Sequence, residues 1–105
     1  ERTSMLTFVV IGAGPTGVEL CGELRDFVAQ DVPRLYADLR PYVRVVLLEA
    51  SDKVLMAFDG DLQDAALERL RSNEQGISID VRLSAGVQEV TPEEILLSDG
   101  SSIRY

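Results

Sequence analysis

The sequence contains no histidine, no tryptophan and a single cysteine, Cys21. A histidine-based catalytic triad is thereby excluded. One thiol closes no internal disulfide, and no Cys/His zinc site can be assembled. Positive charge is scarce: 10 Lys and Arg stand against 18 Asp and Glu, for a formal net charge of −8. That balance argues against nucleic-acid binding by phosphate neutralisation and against a basic membrane patch. No apolar run approaches the roughly 20 residues needed to cross a bilayer. No secretory signal pattern is visible either, because the short apolar run after Glu1-Arg2-Thr3-Ser4 is not followed by a small-residue cleavage site. What remains is a chain of 105 residues, 46% hydrophobic. It is long enough for one domain with a core.

Two kinds of pattern follow one another along the chain. Leu6-Thr7-Phe8-Val9-Val10-Ile11 is a nearly continuous apolar run. It reads as a strand buried on both faces, the habit of parallel sheets. A helix is expected over residues 16–30, with Val18, Cys21, Leu24 and Val28 on its buried stripe and Arg25 facing out. Gly22 beside that stripe would let the helix approach the sheet. Pro33 is placed to open a short second helix through residue 39, ended by Pro41. Residues 43–49 read as a second buried strand, and residues 50–58 as a loop. A long helix over 60–73 follows, capped by Asp59 or Asp61, with Leu62, Ala65, Ala66 and Leu70 inward and Gly76 as its stop.

The period then changes. Ile77, Ile79, Val81 and Leu83 alternate with polar residues. Short strands are expected over 86–91, 94–98 and 102–105, with a tight turn at Asp99-Gly100. The expected fold is α/β: a Rossmann-like parallel sheet with helices on both faces, followed by a C-terminal antiparallel β-meander.

The residues that carry chemistry are Gly12-Ala13-Gly14-Pro15-Thr16-Gly17. A GxGxxG pattern alone is weak. Placed between a buried strand and a helix it becomes a phosphate-loop signal. Gly12 serves the tight turn, Gly14 lets a pyrophosphate approach the backbone, and Gly17 lets the helix pack against the strand. N–H groups at the helix start, from Thr16 onward, point at the anion. The competing reading is a glycine-rich turn that binds nothing.

An acid at the end of the next strand is the second element of a dinucleotide site. Glu49 stands there and is suited to accept hydrogen bonds from the adenosine ribose, favouring NAD(H) over NADP(H). It follows Gly17 by 32 positions, more than the usual spacing of about 20. The excess falls on residues 31–41. The alternative is a solvated strand-end acid without a ligand. Glu19 lies two residues past the last glycine, in the first helical turn: either it complements the helix dipole, or it points away from the phosphates towards a nicotinamide or a neighbouring domain. Cys21 reads as a small buried hydrophobe.

The segment Val9-Val10-Ile11-Gly12-Ala13-Gly14-Pro15-Thr16-Gly17-Val18-Glu19-Leu20-Cys21-Gly22-Glu23-Leu24 resembles the NADH-binding segment of the pyridine-nucleotide flavoprotein oxidoreductases. Its Gly-Pro-Thr-Gly-Val-Glu core, the strand ending in Leu48-Glu49-Ala50 and the closing Ser98-Asp99-Gly100 meander look most like the type II NADH:quinone dehydrogenases. The resemblance implies an NAD(H)-binding domain set within a larger FAD-containing protein. There the FAD domain is the partner and a quinone is the final acceptor. Gly12, Ala13, Gly14, Pro15, Thr16 and Gly17 would hold the pyrophosphate. Glu49, with Ala50 beside it, would hold the ribose, and Glu19 would lie near the nicotinamide. A peripheral membrane protein is implied, of the mitochondrial inner membrane or else of a bacterial or plastid one, meeting the membrane only through parts outside this sequence. Other flavoprotein reductases, such as ferredoxin or rubredoxin reductases or an apoptosis-inducing-factor-like protein, and a non-catalytic nucleotide-binding module, are the alternatives. No FAD-binding glycine motif and no quinone segment occur in the 105 residues, so the chain is expected to be a domain cut from that larger protein, inactive alone.

Overall fold

The computed structural model describes residues 6–31, 43–72 and 77–105. The strand–helix alternation produces β1 (Leu6–Ile11), α1 (Pro15–Asp26), β2 (Val43–Leu48), α2 (Gly60–Arg71) and β3 (Asp80–Arg82). The meander follows as β4 (Val87–Val90), β5 (Glu94–Leu97) and β6 (Ser102–Arg104). A π-helical turn, Phe27–Asp31, continues α1. The expected helix at 33–39, its stop at Pro41 and the stop at Gly76 lie outside the described residues.

β1 and β3 both pair in parallel with β2, giving the order β1-β2-β3, and β4-β5-β6 form a separate antiparallel sheet. The run Val45-Val46-Leu47-Leu48 at the centre is wholly buried because its alternate side chains face two different layers. Val45 and Leu47 join Val10, Cys21, Val28, Leu70 and Val81 in a core beneath the helices. Val46 and Leu48 meet Ile95, Leu97 and Ile103 of the meander on the other face.

The Rossmann-like sheet and the meander are as expected, but the placement of the helices is not. The two described helices share one core on one face, and the meander covers the other. The strand order advances without reversal, and right-handed crossovers in one direction put successive helices on the same side. β1 also differs from the expected strand buried on both faces: Leu6, Phe8 and Ile11 are exposed. β1 is at the sheet edge, while the covering layers centre on β2.

Asp59 caps α2 by accepting the Leu62 N–H at 2.9 Å. Leu70 is buried and Ala66 and Leu67 half-buried, whereas Leu62 and Ala65 face solvent. The inward stripe is therefore rotated from the one expected, and Leu67 takes the place assigned to Leu62. The tight turn at 98–101 is present: Gly100 has φ +92°, and Asp99 accepts the Ser101 N–H at 2.9 Å.

Arg25, expected to face out, is 4% exposed. Its Nη1 donates to the carbonyls of Arg69 (3.0 Å), Leu70 (3.3 Å) and Ser72 (3.3 Å) at the end of α2. The last carbonyls of a helix lack intrahelical donors and carry its negative dipole end, so a buried guanidinium finds acceptors and a favourable dipole there. Periodicity alone assigns a charge to solvent and has no means of anticipating this. Arg25→Met should destabilise the chain by about 1.5–3 kcal/mol, because it removes the charge-assisted hydrogen bonds to those carbonyls. Urea denaturation of the two proteins measures the difference.

Candidate functional site

The site lies where the carboxyl ends of β1, β2 and β3 come together, the place where open α/β sheets bind ligands. Backbone bonds join these ends. The Gly12 N–H donates to the Leu48 carbonyl at 2.8 Å, the Glu49 N–H to the Arg82 carbonyl at 3.0 Å, and the Ala85 N–H to the Glu49 carbonyl at 2.8 Å.

Each glycine of the loop has its own geometry. Gly12 has φ +100°, a left-handed conformation that turns the chain out of β1. A Cβ on Gly17 would stand 1.9 Å from the Gly12 carbonyl oxygen. The start of α1 thus packs so tightly on the turn that only glycine fits. The close helix approach is made here and not at Gly22, where a Cβ would meet nothing within 4 Å. A Cβ on Gly14 would also meet nothing within 4 Å. Gly14 thus borders open space, at the position where a bound pyrophosphate would need bare backbone.

Gly14 is the N-cap of α1, Pro15 follows it, and no side chain caps the helix. Its first turn holds no acid. Glu19, read from sequence as lying in that first turn, sits instead in the second turn, because the helix already begins at Pro15, and it is exposed. The N-terminus of α1 is therefore free of side-chain acceptors and of negative charge from its own first turn, the condition under which helix N–H groups attract an anion. Thr16, Pro15 and Gly14 are exposed around it, while Ala13 is buried.

Glu49 is brought to this loop. Its Oε1 accepts the Ala13 N–H at 2.7 Å, and its Oε2 accepts the Ser51 N–H at 2.8 Å. Burial acts to raise the pKa of the carboxyl. The N–H groups of Ser51 and Ala13, helped by the Ser51 hydroxyl and the Ala50 N–H, outweigh it and hold the group below its ordinary 4.5. The acid is thus an ionised, oriented acceptor, each oxygen keeping capacity for a further donor. Ala50 beside it is exposed. Arg44 lies at the far end of β2, held by Thr7 Oγ1 at 2.8 Å, and takes no part.

Sequence reasoning missed two residues that hold the loop from behind. The Ala13 carbonyl accepts the Leu55 N–H at 2.8 Å. Leu55 has φ +50° and is 8% exposed. Gln63 of α2 donates to the carbonyls of Leu55 (3.1 Å) and Phe58 (3.0 Å). No motif marks either residue, and a left-handed leucine runs against the usual preference for glycine. Cys21 is fully buried on the inner face of α1, and burial pushes its thiol up to about 11 against the opposing pull of Arg25. Burial and the raised pKa both disfavour the reactive thiolate.

The donor set fits a pyrophosphate with an attached ribose: bare backbone at Gly14, an uncapped helix start, and an oriented carboxylate one strand away. Comparison with known proteins bears on that fit. The family model described as pyridine nucleotide-disulphide oxidoreductase matches residues 2–105. The chain belongs to the pyridine nucleotide-disulphide oxidoreductase family. Among curated members it is 42% identical, over its whole length, to the mitochondrial internal alternative NAD(P)H-ubiquinone oxidoreductase A1 of Solanum tuberosum. It is 43% identical over 90% of its length to the mitochondrial external alternative NAD(P)H-ubiquinone oxidoreductase B3 of Arabidopsis thaliana. It spans 20% and 16% of those proteins. Among solved structures, NDH2 from Plasmodium falciparum in complex with NADH superposes with a TM-score of 0.78 at 25% identity, over 96% of this chain and 21% of that one. The cysteine pair that the family name refers to has no counterpart within this chain, whose lone thiol is buried.

Two outcomes follow from the geometry. Gly17→Ala should cost more than about 2 kcal/mol because α1 must move off Gly12, while Gly14→Ala should cost about 1 kcal/mol or less; thermal and urea unfolding separate them. Glu49 also has a pH signature. A carboxyl whose folded pKa lies below its unfolded value stabilises the fold above the unfolded value and loses that contribution as pH falls through the folded one. The urea midpoint of wild type should therefore exceed that of Glu49→Gln at neutral pH, and the gap should close as pH drops below 4.5.

Proposed function

We propose that this chain is the NADH-binding domain of a type II NADH:quinone oxidoreductase, presenting the nucleotide for hydride transfer to an FAD held by another domain of the same protein. The observation that carries the reading is the open backbone at Gly14, ahead of an uncapped α1 and beside the anchored carboxylate of Glu49. The NADH complex of NDH2 and the names of the alternative oxidoreductases support it.

Within this reading, NADH supplies the hydride when bound. The chain's own residues bind and orient. The backbone N–H groups at the start of α1, from Thr16 onward, and the helix dipole receive the pyrophosphate, with Gly14 and Pro15 lining its approach. The carboxylate of Glu49 accepts hydrogen bonds from the adenosine ribose and repels a 2′-phosphate. Glu19, exposed on the second turn of α1, faces the nicotinamide end. The quinone is reached through the FAD domain, and the protein works at the mitochondrial inner membrane as a peripheral enzyme. Among the described residues no helix is long and apolar enough to cross a membrane.

Calorimetric titration with NADH and NADPH tests the assignment. The folded chain should bind NADH at least about tenfold more tightly than NADPH, a difference of about 1.4 kcal/mol. Glu49→Gln should weaken NADH and narrow that gap. Gly14→Val should abolish binding of both while the chain still unfolds cooperatively. A folded wild type that binds neither nucleotide would overturn the reading.

A further inference from the structure

We propose that Gln63 is a positioning residue for the dinucleotide site, acting through Leu55 on Ala13; this rests on the assignment of the glycine loop to the cofactor. The chain of contacts is short. The Gln63 side-chain amide donates to the Leu55 and Phe58 carbonyls at 3.1 and 3.0 Å, and the Phe58 N–H donates to the same Leu55 carbonyl at 2.9 Å. The turn over residues 55–58 is thus closed from two sides. The Leu55 N–H then donates at 2.8 Å to the Ala13 carbonyl.

Leu55 is the reason the amide matters. Its φ of +50° is unfavourable for a residue with a Cβ, and such a conformation persists only where surroundings over-determine it. Its buried side chain supplies one constraint and the Gln63 amide another. Relaxation of Leu55 would withdraw its N–H from Ala13. The Ala13 peptide groups are both engaged, the N–H by Glu49 and the carbonyl by Leu55. Ala13 stands between Gly12 and Gly14, so its orientation sets which way the backbone of Gly14 presents itself. Gln63 itself borders no part of that loop in sequence, and its place in α2 follows from the Asp59 cap four residues earlier.

The test compares three variants of the chain. Gln63→Met keeps the length of the side chain and removes the donor; Gln63→Glu also lacks an N–H and takes its place should the methionine variant not fold. Gln63→Arg keeps N–H donors. Amide hydrogen exchange at Leu55, the Gly14 backbone resonances and NADH affinity of the folded fraction are measured for each. In Gln63→Met, Leu55 exchange should accelerate, the Gly14 resonances should shift, and NADH should bind roughly three- to tenfold more weakly. Gln63→Arg should retain slow Leu55 exchange and most of the affinity. A purely structural role would lower the melting temperature and leave the affinity of folded protein unchanged, which overturns the proposal. Equal losses in the arginine and methionine variants would overturn it too, since packing rather than donation would then be responsible. A wild type that fails to bind NADH overturns the cofactor assignment and this inference together. A wild type that binds, beside a methionine variant that binds equally well, overturns this inference alone.

Discussion

The carboxylate of Glu49 joins the two turns that lead the chain out of β1 and β2. β1 and β2 are hydrogen-bonded along their length, but each turns away from the sheet at its carboxyl end. One oxygen of Glu49 holds the Ala13 N–H of the first turn, and the other holds the Ser51 N–H of the second. An ionised acceptor makes stronger hydrogen bonds to backbone N–H groups than a neutral one does. The same N–H groups keep the carboxyl ionised. The glycine loop and the strand-end acid are therefore one mechanical unit, and any ligand of the acid also meets a braced loop.

The rest of the fold supports that unit from behind. α1 starts against Gly12 with the clearance only Gly17 allows, and it ends near the buried guanidinium of Arg25, which seizes the last carbonyls of α2. α2 in turn carries Gln63, which closes the turn that presents the Leu55 N–H to Ala13. Both ends of both helices are thus tied into one layer. The opposite face of the sheet is sealed by the meander against Val46 and Leu48. Arg44 fastens the far edge by donating from Nη2 to the Arg104 carbonyl at 3.3 Å.

Much of this was readable in advance, and for identifiable reasons. β2 announces itself because a central parallel strand needs apolar side chains on both faces. The meander announces itself through period-two alternation and the Asp99-Gly100 turn. The loop does so because the turn at Gly12 and the helix packing at Gly17 each demand glycine. Errors cluster where a residue's environment depends on a distant segment. Arg25 was assigned to solvent because its partners are more than 40 residues away. Leu62 fits the apolar spacing but is exposed, and Leu67 packs on the core in its stead, because the packing of α2 on the rest of the fold selects the buried stripe. The exposure of Leu6, Phe8 and Ile11 follows from the edge position of β1, which composition cannot show.

Local patterns along the chain set the succession of strands and helices, the glycine loop between the first two, the acid that follows the second strand, and the chemistry excluded by having no histidine and one cysteine. These are local properties: backbone conformations that only glycine adopts easily, side-chain periods, and residue types that are present or missing. The tertiary structure decided which face the helices share, where Arg25 finds its carbonyls, and that Glu49 braces the loop as well as facing it. It also decided that an unremarkable glutamine and a left-handed leucine stand behind Ala13. Each of those depends on hydrogen-bonding groups brought together from distant parts of the chain, and a buried polar group takes its partner from whatever the fold sets beside it.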